Sequence, residues 1–218
     1  MICLFGGTFD PVHLGRLHAA HSVCRALRLE RIHLLLSALP GHRDVPGASV
    51  EHRWRMLELA CAGDPLLIAD DREVRRARRL ARPSWTVETL EEIRREAPTE
   101  PLLWVIGSDA FRGLPTWHRW QEVLDLAHLV VLRRPGVPLV LSGPLEALMS
   151  ERRTRDLPVG PAGSIRVLDL AMRPISAPAV RAALAAGGTA DDLLPAPVCT
   201  YISRHHLYGV RSDPGSIA

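Results

Sequence analysis

The first twenty residues of the chain contain side chains and glycines of the types that bind an anion. An apolar run leads through Gly6 and Gly7 to His13 and Arg16, which stand at the start of a helical pattern. Glycine accepts backbone conformations that other residues avoid, so a double glycine lets the chain turn sharply and bring N–H groups near a ligand. A helix start adds free N–H groups and a positive dipole end, which favour phosphate. The stretch predicts a phosphate cradle.

Two side chains complete this predicted cradle. His13 and Arg16 are three residues apart, so on a helix they share a face, with Cβ atoms about 5 to 6 Å apart. The alternative is that the strand, the glycines and the helix only change the direction of the chain, since a single Gly-Gly pair is weak evidence.

The elements that must position these residues follow an alternating pattern. Short Leu, Ile and Val runs alternate with helical spacing, which predicts a doubly wound α/β fold with a parallel, Rossmann-like sheet that binds ligands beyond the carboxyl ends of its strands. The predicted strands are Ile2–Phe5, Arg31–Ser37, Leu66–Ala69, Leu102–Ile106, Leu129–Leu132 and Ile165–Leu168. The predicted helices between them are Leu14–Leu29, Val50–Cys61, Thr86–Ala97, Trp117–Leu126 and Leu145–Arg152.

The end of the chain has a different pattern. Two helical stretches, Ser176–Ala186 and Pro197–Leu207, follow the last strand with no strand between them. We predict a nucleotide-binding core over residues 1–175, a small helical C-terminal lobe over 176–211 and a disordered tail over 212–218.

The composition indicates a globular protein with an apolar core. Hydrophobic residues make up 47% of its 218 residues, and the net charge is +3. All 27 basic residues are Arg, and neither Lys nor Asn occurs, so a single Arg is weak evidence of function. The Arg-rich stretch over residues 72–82 lacks interleaved aromatic residues. It therefore predicts a solvated loop or helix face rather than a nucleic-acid site.

Cysteine spacing and hydropathy indicate the cellular compartment in which we expect the protein to act. Cys3, Cys24, Cys61 and Cys199 are far apart and show no metal-site spacing, which predicts reduced, buried thiols. No window approaches the roughly 18 apolar residues of a membrane span. We expect a cytoplasmic monomer or homodimer with no membrane or nucleic-acid partner.

Several motifs, in order along the chain, resemble those of the nicotinate-nucleotide adenylyltransferase family, within the nucleotidylyltransferase superfamily whose HxGH motif opens the first helix. The motifs that carry this resemblance are "GGTFDPVHLG", "ALPGHR", "RPSWTVETL", "IGSDAFRGLPTWHRWQEVL", "VVLRRPG", "ISAPAVRAAL" and "DDLLPAPVCTYISRHHLYG". So many ordered matches are more specific than any one of them.

The resemblance implies a reaction and a set of residues. The phosphate of nicotinate mononucleotide attacks the α-phosphorus of ATP in line, and pyrophosphate leaves with no covalent enzyme intermediate. Mg²⁺, held mainly by substrate phosphates rather than by protein ligands, shares the charge. Catalytic roles are implied for His13, Arg16 and Arg181. ATP-binding roles are implied for Gly6, Gly7, Thr8, Phe9, His13, Gly107, Asp109, Ser176 and Arg181.

The pyridine end of the substrate is assigned to a second helix start. Ser84, Trp85 and Thr86 begin a helix whose free N–H groups can take a carboxylate, which favours nicotinate over the amide. Trp117 offers a flat face for the ring, although core packing explains it equally well. The resemblance gives the mononucleotide site as Thr8, His42, Arg43, Ser84, Trp85, Thr86 and Trp117.

The chain departs from the family pattern where the second motif His is replaced by Arg16. Arginine can hold phosphate but is longer and does not give up its proton, so we predict a working but slower enzyme. Pro178 also replaces a motif Thr. The alternatives are a related transferase with another acceptor, such as pantetheine phosphate, and a nucleotide-binding homologue with weakened catalysis.

Overall fold

Seven parallel strands form the centre of the computed structural model, which describes residues 1–39, 45–80, 82–156, 160–188 and 190–210. The strands run in the order β3-β2-β1-β4-β5-β7-β6, and each pairs with its neighbours in parallel. They are β1 (Ile2–Gly7), β2 (Ile32–Leu36), β3 (Leu67–Asp70), β4 (Leu102–Gly107), β5 (His128–Arg133), β6 (Arg153–Thr154) and β7 (Ile165–Asp169).

Helices cover both faces of this sheet. They are α1 (Leu14–Leu27), α2 (Val50–Cys61), α3 (Arg72–Leu80), α4 (Thr86–Glu96), α5 (Ser108–Arg112), α6 (Val123–Leu126), α7 (Pro144–Arg152), α8 (Ala177–Ala185) and α9 (Ala196–Arg204). In β1 the side chains alternate, with Cys3 and Phe5 in the apolar cluster under α1, α2, α8 and α9, and Leu4 in the cluster under α4 to α7. The prediction of a doubly wound parallel sheet is confirmed.

The strand order places a crevice between β1 and β4. From β1 the chain goes to β2 and β3 on one side, then crosses back to β4 on the other. At such a reversal the connections leaving the two strands diverge, and their carboxyl ends leave space for a ligand. Gly7 ends β1 and Gly107 ends β4, so two residues predicted for the ATP site lie at this crevice.

The helix predicted over Trp117–Leu126 is wrong for most of its length. Trp117 ends a short 3-10 turn, and Arg119 has a left-handed backbone with φ of 51°. That conformation breaks the helical hydrogen-bond ladder, because each N–H no longer points at the carbonyl four residues back. Only α6, Val123–Leu126, is α-helical.

The Arg-rich stretch is a helix, and the prediction that it is simply solvated is wrong for two of its arginines. On α3, Arg76 is 8% exposed, and Arg72 is mostly buried beside it. Arg76 donates to Oγ1 of Thr89 at 2.9 Å, and both arginines pair with Glu92 on α4. These contacts fix α3 against α4, whose first turn carries predicted site residues.

The C-terminal helices share the core of the sheet. Val180 of α8 and Ile202 of α9 are fully buried in the same apolar cluster as β1 and α1. The division at residue 176 therefore stays a prediction, and the predicted tail over 212–218 lies outside the described residues. All four cysteines are free thiols, three of them buried. Within the described ranges, no helix has both the length and the apolar character needed to cross a bilayer.

Candidate active site

Aromatic rings pack closely against the double glycine at the end of β1. A Cβ at position 6 would lie 3.0 Å from the indole of Trp104, and one at position 7 would lie 3.1 Å from the ring of Phe9. Both distances are tighter than side chains normally allow, so Gly6 and Gly7 are required by close approach. Phe9 itself has a positive φ of 46° and is 5% exposed, so the turn is held by packing.

A buried carboxylate fixes the loop that follows. Asp10 accepts hydrogen bonds from the backbone N–H groups of Gly47 at 2.7 Å and Ala48 at 3.2 Å. The hydroxyl of Tyr208 donates to its Oδ1 at 2.8 Å. Arg181 donates to the Asp10 carbonyl at 2.7 Å and lies 3.4 Å from its carboxylate. The C-terminal helices are thus tied directly to the loop that leads to His13.

A buried arginine joins the ends of β1 and β2. The guanidinium of Arg53 donates to the carbonyls of Thr8 at 3.0 Å, Ser37 at 2.8 Å and Ala38 at 2.7 Å. Its Nε donates to the Ala48 carbonyl at 3.1 Å, and the residue is 1% exposed. One side chain thus donates to four carbonyls from three segments, which fixes the shape of this edge of the crevice.

The two predicted cradle side chains lie at the start of α1. His13 is the N-cap residue, but its side chain does not cap the helix. Burial, with a smaller contribution from the Arg16 guanidinium, lowers the pKa of His13 to about 4. His13 is therefore a neutral imidazole near pH 7, and its Nδ1 has no hydrogen-bond partner among the described residues. The guanidinium of Arg16 lies 4.5 Å above the ring of Phe5.

A cavity of about 420 Å³ lies over the carboxyl ends of β1 and β4. It brings together residues that the sequence assigned separately to the two substrates. Ten predicted residues line it: Gly6, Gly7, Thr8, Arg16, Ser84, Trp85, Thr86, Gly107, Asp109 and Trp117. The two predicted half-sites are thus parts of one space, as a transfer between two bound substrates requires.

Three buried polar atoms in the cavity wall have no partner among the described residues. They are Oε2 of Glu73, Oγ of Ser84 and Nε1 of Trp104. Buried polar atoms in native proteins are normally hydrogen-bonded, so these three are available to bond to water or to a polar ligand. The helix start beside them is also open, since Trp85 is the N-cap of α4 and its side chain makes no capping hydrogen bond.

Glu73 is the one buried carboxyl group in the described cavity lining. Oγ1 of Thr89 donates to its Oε1 at 3.0 Å. Burial raises the pKa of Glu73 to about 7, although the Thr89 hydrogen bond and the charge of Arg76 act in the opposite direction. The carboxyl group is therefore about half protonated near neutral pH.

Aromatic side chains form the wall near the start of α4. The rings of Trp85 and His118 lie 4.5 Å apart between centroids, and the Arg82 guanidinium lies 5.0 Å from the Trp85 ring. Trp117 is half-buried, packs against the apolar cluster and also lines the cavity. Both interpretations of Trp117 therefore hold in part. One side of the residue packs in the core, and another is a surface on which a ring could stack.

Asp109 lies at the open rim of the cavity. It is in the first turn of α5, but the N-cap residue of that helix is Gly107 and no side chain caps it. Asp109 pairs instead with Arg112 on the same helix and is largely exposed. Its carboxylate is thus accessible to a ligand.

Comparison with known proteins identifies the family. The model of the family described as cytidylyltransferase-like matches residues 4–183, which includes the second part of β1 with the double glycine, and most of α8. The chain belongs to the cytidylyltransferase-like family.

Within this family, named relatives match nearly the whole chain. A probable nicotinate-nucleotide adenylyltransferase of Stenotrophomonas maltophilia is 45% identical over 211 residues, 94% of this chain and 95% of the relative. A nicotinate-nucleotide adenylyltransferase of Escherichia coli O157:H7 is 41% identical over 210 residues, 94% of this chain and 97% of the relative. The resemblance seen in the motifs is confirmed.

Solved structures share the fold. A Plasmodium falciparum nicotinic acid mononucleotide adenylyltransferase complexed with NaAD superposes with a TM-score of 0.72 at 14% identity, covering 96% of this chain and 98% of that one. At that identity the likeness shows the cytidylyltransferase-like fold alone.

Four residues predicted for the site do not line the cavity, and two more lie outside the described residues. Phe9, His13, Ser176 and Arg181 are not among the residues that line the cavity. Phe9 supports Gly7, and Ser176 is the N-cap of α8, where its Oγ accepts from the N–H of Ala179 at 3.4 Å. His42 and Arg43 lie outside the described residues of this cytidylyltransferase-like chain.

Sequence reasoning also missed residues that the structure places at or beneath the site. Glu73 and Trp104 line the cavity, and Arg53 and Tyr208 support its edge. Glu73 carried one available signal, since it is the only acidic residue within the Arg-rich helix α3. The other three look like ordinary helix, strand and terminal residues in the sequence.

Proposed function

We propose that this protein transfers the adenylyl group of ATP to nicotinate mononucleotide, giving nicotinate adenine dinucleotide and pyrophosphate, a step of NAD biosynthesis. The observation that carries the proposal is that one cavity at the β1–β4 crevice is lined by predicted residues of both substrates. The names of relatives more than 40% identical over 94% of the chain support the same reaction.

The phosphates of ATP would bind at the β1 end of the cavity. Gly6 and Gly7 let the backbone approach closely there, and the helix dipole of α1 favours negative charge. His13 does not line the cavity itself, but from the start of α1 its neutral imidazole would donate one hydrogen bond to a phosphate without repelling the guanidinium of Arg16. Arg16 supplies the fixed positive charge at this end of the cavity.

The nucleoside of ATP would lie toward β4. Gly107 ends that strand, and the exposed carboxylate of Asp109 is a natural acceptor for the two hydroxyls of a ribose. A ribose bound there would compete with Arg112 for the Asp109 oxygen, so the ion pair at the rim opens or is shared when the ligand binds.

The mononucleotide would bind at the α4 end. The uncapped first turn of α4 offers N–H groups to the carboxylate of the ring, and Oγ of Ser84 is unpartnered beside it in the described structure. Trp117 provides a flat surface for the ring. His42 and Arg43 stay predicted residues of the mononucleotide site.

Arg181 and Ser176 stay predictions as ATP ligands. Arg181 now donates to the Asp10 carbonyl at 2.7 Å, and its side chain is about one third exposed. To contact the triphosphate, its guanidinium would have to exchange that bond for a phosphate oxygen. In the present arrangement Arg181 acts on the site through Asp10.

Little covalent chemistry is required of the protein. One bond forms between a mononucleotide phosphate oxygen and the α-phosphorus of ATP, and the bond from that phosphorus to the pyrophosphate oxygen breaks. The attacking phosphate is already an anion, so no general base is needed. Catalysis then depends on position and positive charge, which the glycine turn, the helix starts and Arg16 provide.

Magnesium would enter with the nucleotide. The described residues contain no group of three or more His, Cys, Asp or Glu side chains that could hold a metal ion. We propose a Mg²⁺ ion carried mainly by ATP phosphates, where it would neutralise charge on the leaving pyrophosphate. We also propose a cytoplasmic protein that acts as a monomer or homodimer.

Pyrophosphate release tests the proposal. Purified protein with ATP and Mg²⁺ should release pyrophosphate with nicotinate mononucleotide, much more slowly with the amide, and not with pantetheine phosphate. Release with another acceptor alone would overturn the assignment of the substrate. Nucleotide binding without release from any acceptor would show instead a homologue that has lost catalysis.

A further inference from the structure

The strongest feature outside the proposed roles is the carboxyl group of Glu73. It is 4% exposed, it lines the cavity, and only one of its oxygens is used by the described residues. Oε1 accepts from Thr89, whereas Oε2 has no hydrogen-bond partner in that part of the chain. A buried oxygen left in this way costs free energy unless a ligand bonds to it.

The position of Glu73 identifies which ligand group it meets. Thr89 and Thr86 are three residues apart on α4, so they share a face of that helix with Cβ atoms about 5 to 6 Å apart. The carboxyl group bonded to Thr89 therefore lies against the face of α4 that also carries Thr86, a residue of its first turn. That turn is uncapped, and it adjoins the unpartnered Oγ of Ser84.

We propose that Glu73 is a specificity-determining residue for the pyridine mononucleotide, and that its protonated Oε2 donates a hydrogen bond to the carboxylate of the ring. This rests on the proposed function and extends it. A neutral carboxyl group is a donor, and a hydrogen bond to an ionised acceptor is about twice as strong as one between neutral groups. An ionised Glu73 would instead repel the substrate carboxylate and accept from the amide of the alternative substrate.

The surroundings of Glu73 allow this proton at working pH. Burial raises its pKa to about 7. The charges that face it are Arg76 on its own helix, which lowers the pKa, and Asp70 at the end of β3, which raises it. From the neighbouring elements, the Thr89 hydroxyl on α4 and the Ala38 N–H after β2 also lower the pKa of Glu73. The contact between the Ala38 N–H and the carboxyl group does not have hydrogen-bond geometry.

Three other charged or titratable residues line the described part of the cavity, namely Arg16, Asp109 and His118. His118 is the one that could imitate the effect, because a protonated imidazole also attracts a carboxylate. Its ring packs on Trp85, close to the same helix start. The experiment must therefore distinguish an effect of Glu73 from an effect of His118.

The proposal predicts a selectivity that depends on pH. Glu73 is mostly neutral at pH 6 and mostly ionised at pH 8, and the neutral fraction falls about tenfold between them. The ratio of kcat/KM for nicotinate mononucleotide to kcat/KM for nicotinamide mononucleotide should fall by about tenfold over that interval. Titration of the substrate phosphate or of groups near ATP affects both substrates alike and cancels in the ratio.

Two variants show which residue causes the pH dependence of this ratio. Glu73→Gln keeps an acceptor for Thr89 and a donor that does not ionise, so its ratio should be high and constant from pH 6 to 8. His118→Gln should keep the wild-type decline. A decline that persists in Glu73→Gln and vanishes in His118→Gln would overturn the proposal in favour of His118.

Calorimetry of the wild-type protein measures directly how many protons are taken up when each ligand binds, and it needs no variant. At pH 8, in buffers of different ionisation enthalpy, binding of the acid should take up nearly one proton more than binding of the amide. Equal uptake for the two ligands would overturn the role of Glu73 while leaving the transferase activity intact. Failure to release pyrophosphate from either mononucleotide would instead overturn the proposed function.

Discussion

The hydroxyl of Tyr208 donates a hydrogen bond at 2.8 Å to Oδ1 of Asp10, a residue 198 positions earlier in the chain. Asp10 belongs to the loop between the double glycine and His13, and Tyr208 belongs to the last described turn. The C-terminal helices are thereby connected to the predicted phosphate cradle by a charged, mostly buried contact. The packing of these helices against the sheet therefore helps to position the predicted phosphate cradle and also stabilises the fold.

Tyr208→Phe should lower the free energy of unfolding by about 2 kcal/mol, because hydrogen bonds to charged groups contribute about 1.5 to 3 kcal/mol. Urea titration measures the loss. Tyr201→Phe is the matched control, since the Tyr201 hydroxyl pairs with Nδ1 of His52 at 3.0 Å, away from Asp10. The control should lose about 1 kcal/mol or less. Equal losses in the two variants would contradict a special role for the Asp10 contact.

Arg53→Lys should destabilise the protein by about 3 kcal/mol or more, although it keeps the charge. Lysine cannot reach the four carbonyls that the buried guanidinium satisfies, and the orphaned carbonyls would cost about 1 to 3 kcal/mol each. Arg55→Lys, on the exposed face of the same helix, should change stability by less than about 0.5 kcal/mol. A tolerated Arg53→Lys would show that the ends of β1 and β2 do not depend on this residue.

Acid should destabilise the protein partly through His13. Its pKa is about 4 in the folded protein, against 6.5 for a histidine side chain free of burial, so the unfolded chain binds a proton that the folded chain does not. The contribution of His13 is constant above about pH 6.5 and is lost as the pH falls toward 4, by up to about 1.4 kcal/mol per pH unit.

His13→Gln should remove that part of the pH dependence. The free energy of unfolding of the variant should fall less steeply between pH 6.5 and 4 than that of the wild type, as measured by urea titration at each pH. Parallel profiles would contradict a neutral, buried His13. Other groups titrate in both proteins and therefore cancel in the difference.

Arg16→His should raise kcat by about tenfold, or about 1.4 kcal/mol of transition-state stabilisation. The guanidinium of Arg16 is long and lies over the ring of Phe5, whereas the resemblance implies an imidazole at this position. Arg16→Gln, which removes the charge and supplies no ring, should lower kcat/KM for ATP. A lower kcat in Arg16→His would show that the site is built around the guanidinium.

Local patterns were sufficient to predict the sheet and much of the site. Continuous apolar runs predicted the parallel strands, and the double glycine followed by His13 predicted the turn, because these features depend on neighbours in sequence. The break at Arg119 was not predicted, since its left-handed backbone has no glycine to mark it. The spacing of apolar residues alone does not reveal such a break.

Contacts between distant segments could not be predicted in the same way. Arg53 bonds to carbonyls up to 45 positions away, and Arg76 is buried by α4 although its helix is rich in charge. Glu73 becomes a cavity residue only when α3 packs beside β2 and α4. In a chain whose every cation is Arg, nothing local separates a buried arginine from a solvated one.

A crystal structure with nicotinate mononucleotide and a non-hydrolysable ATP analogue would show directly where both substrates bind. We expect the ATP phosphates over Gly6 and Gly7 at the start of α1, with His13 and Arg16 in contact, and the pyridine carboxylate at the start of α4. Phosphates bound away from the β1–β4 crevice, or a pyridine ring bound away from α4, would contradict this expectation.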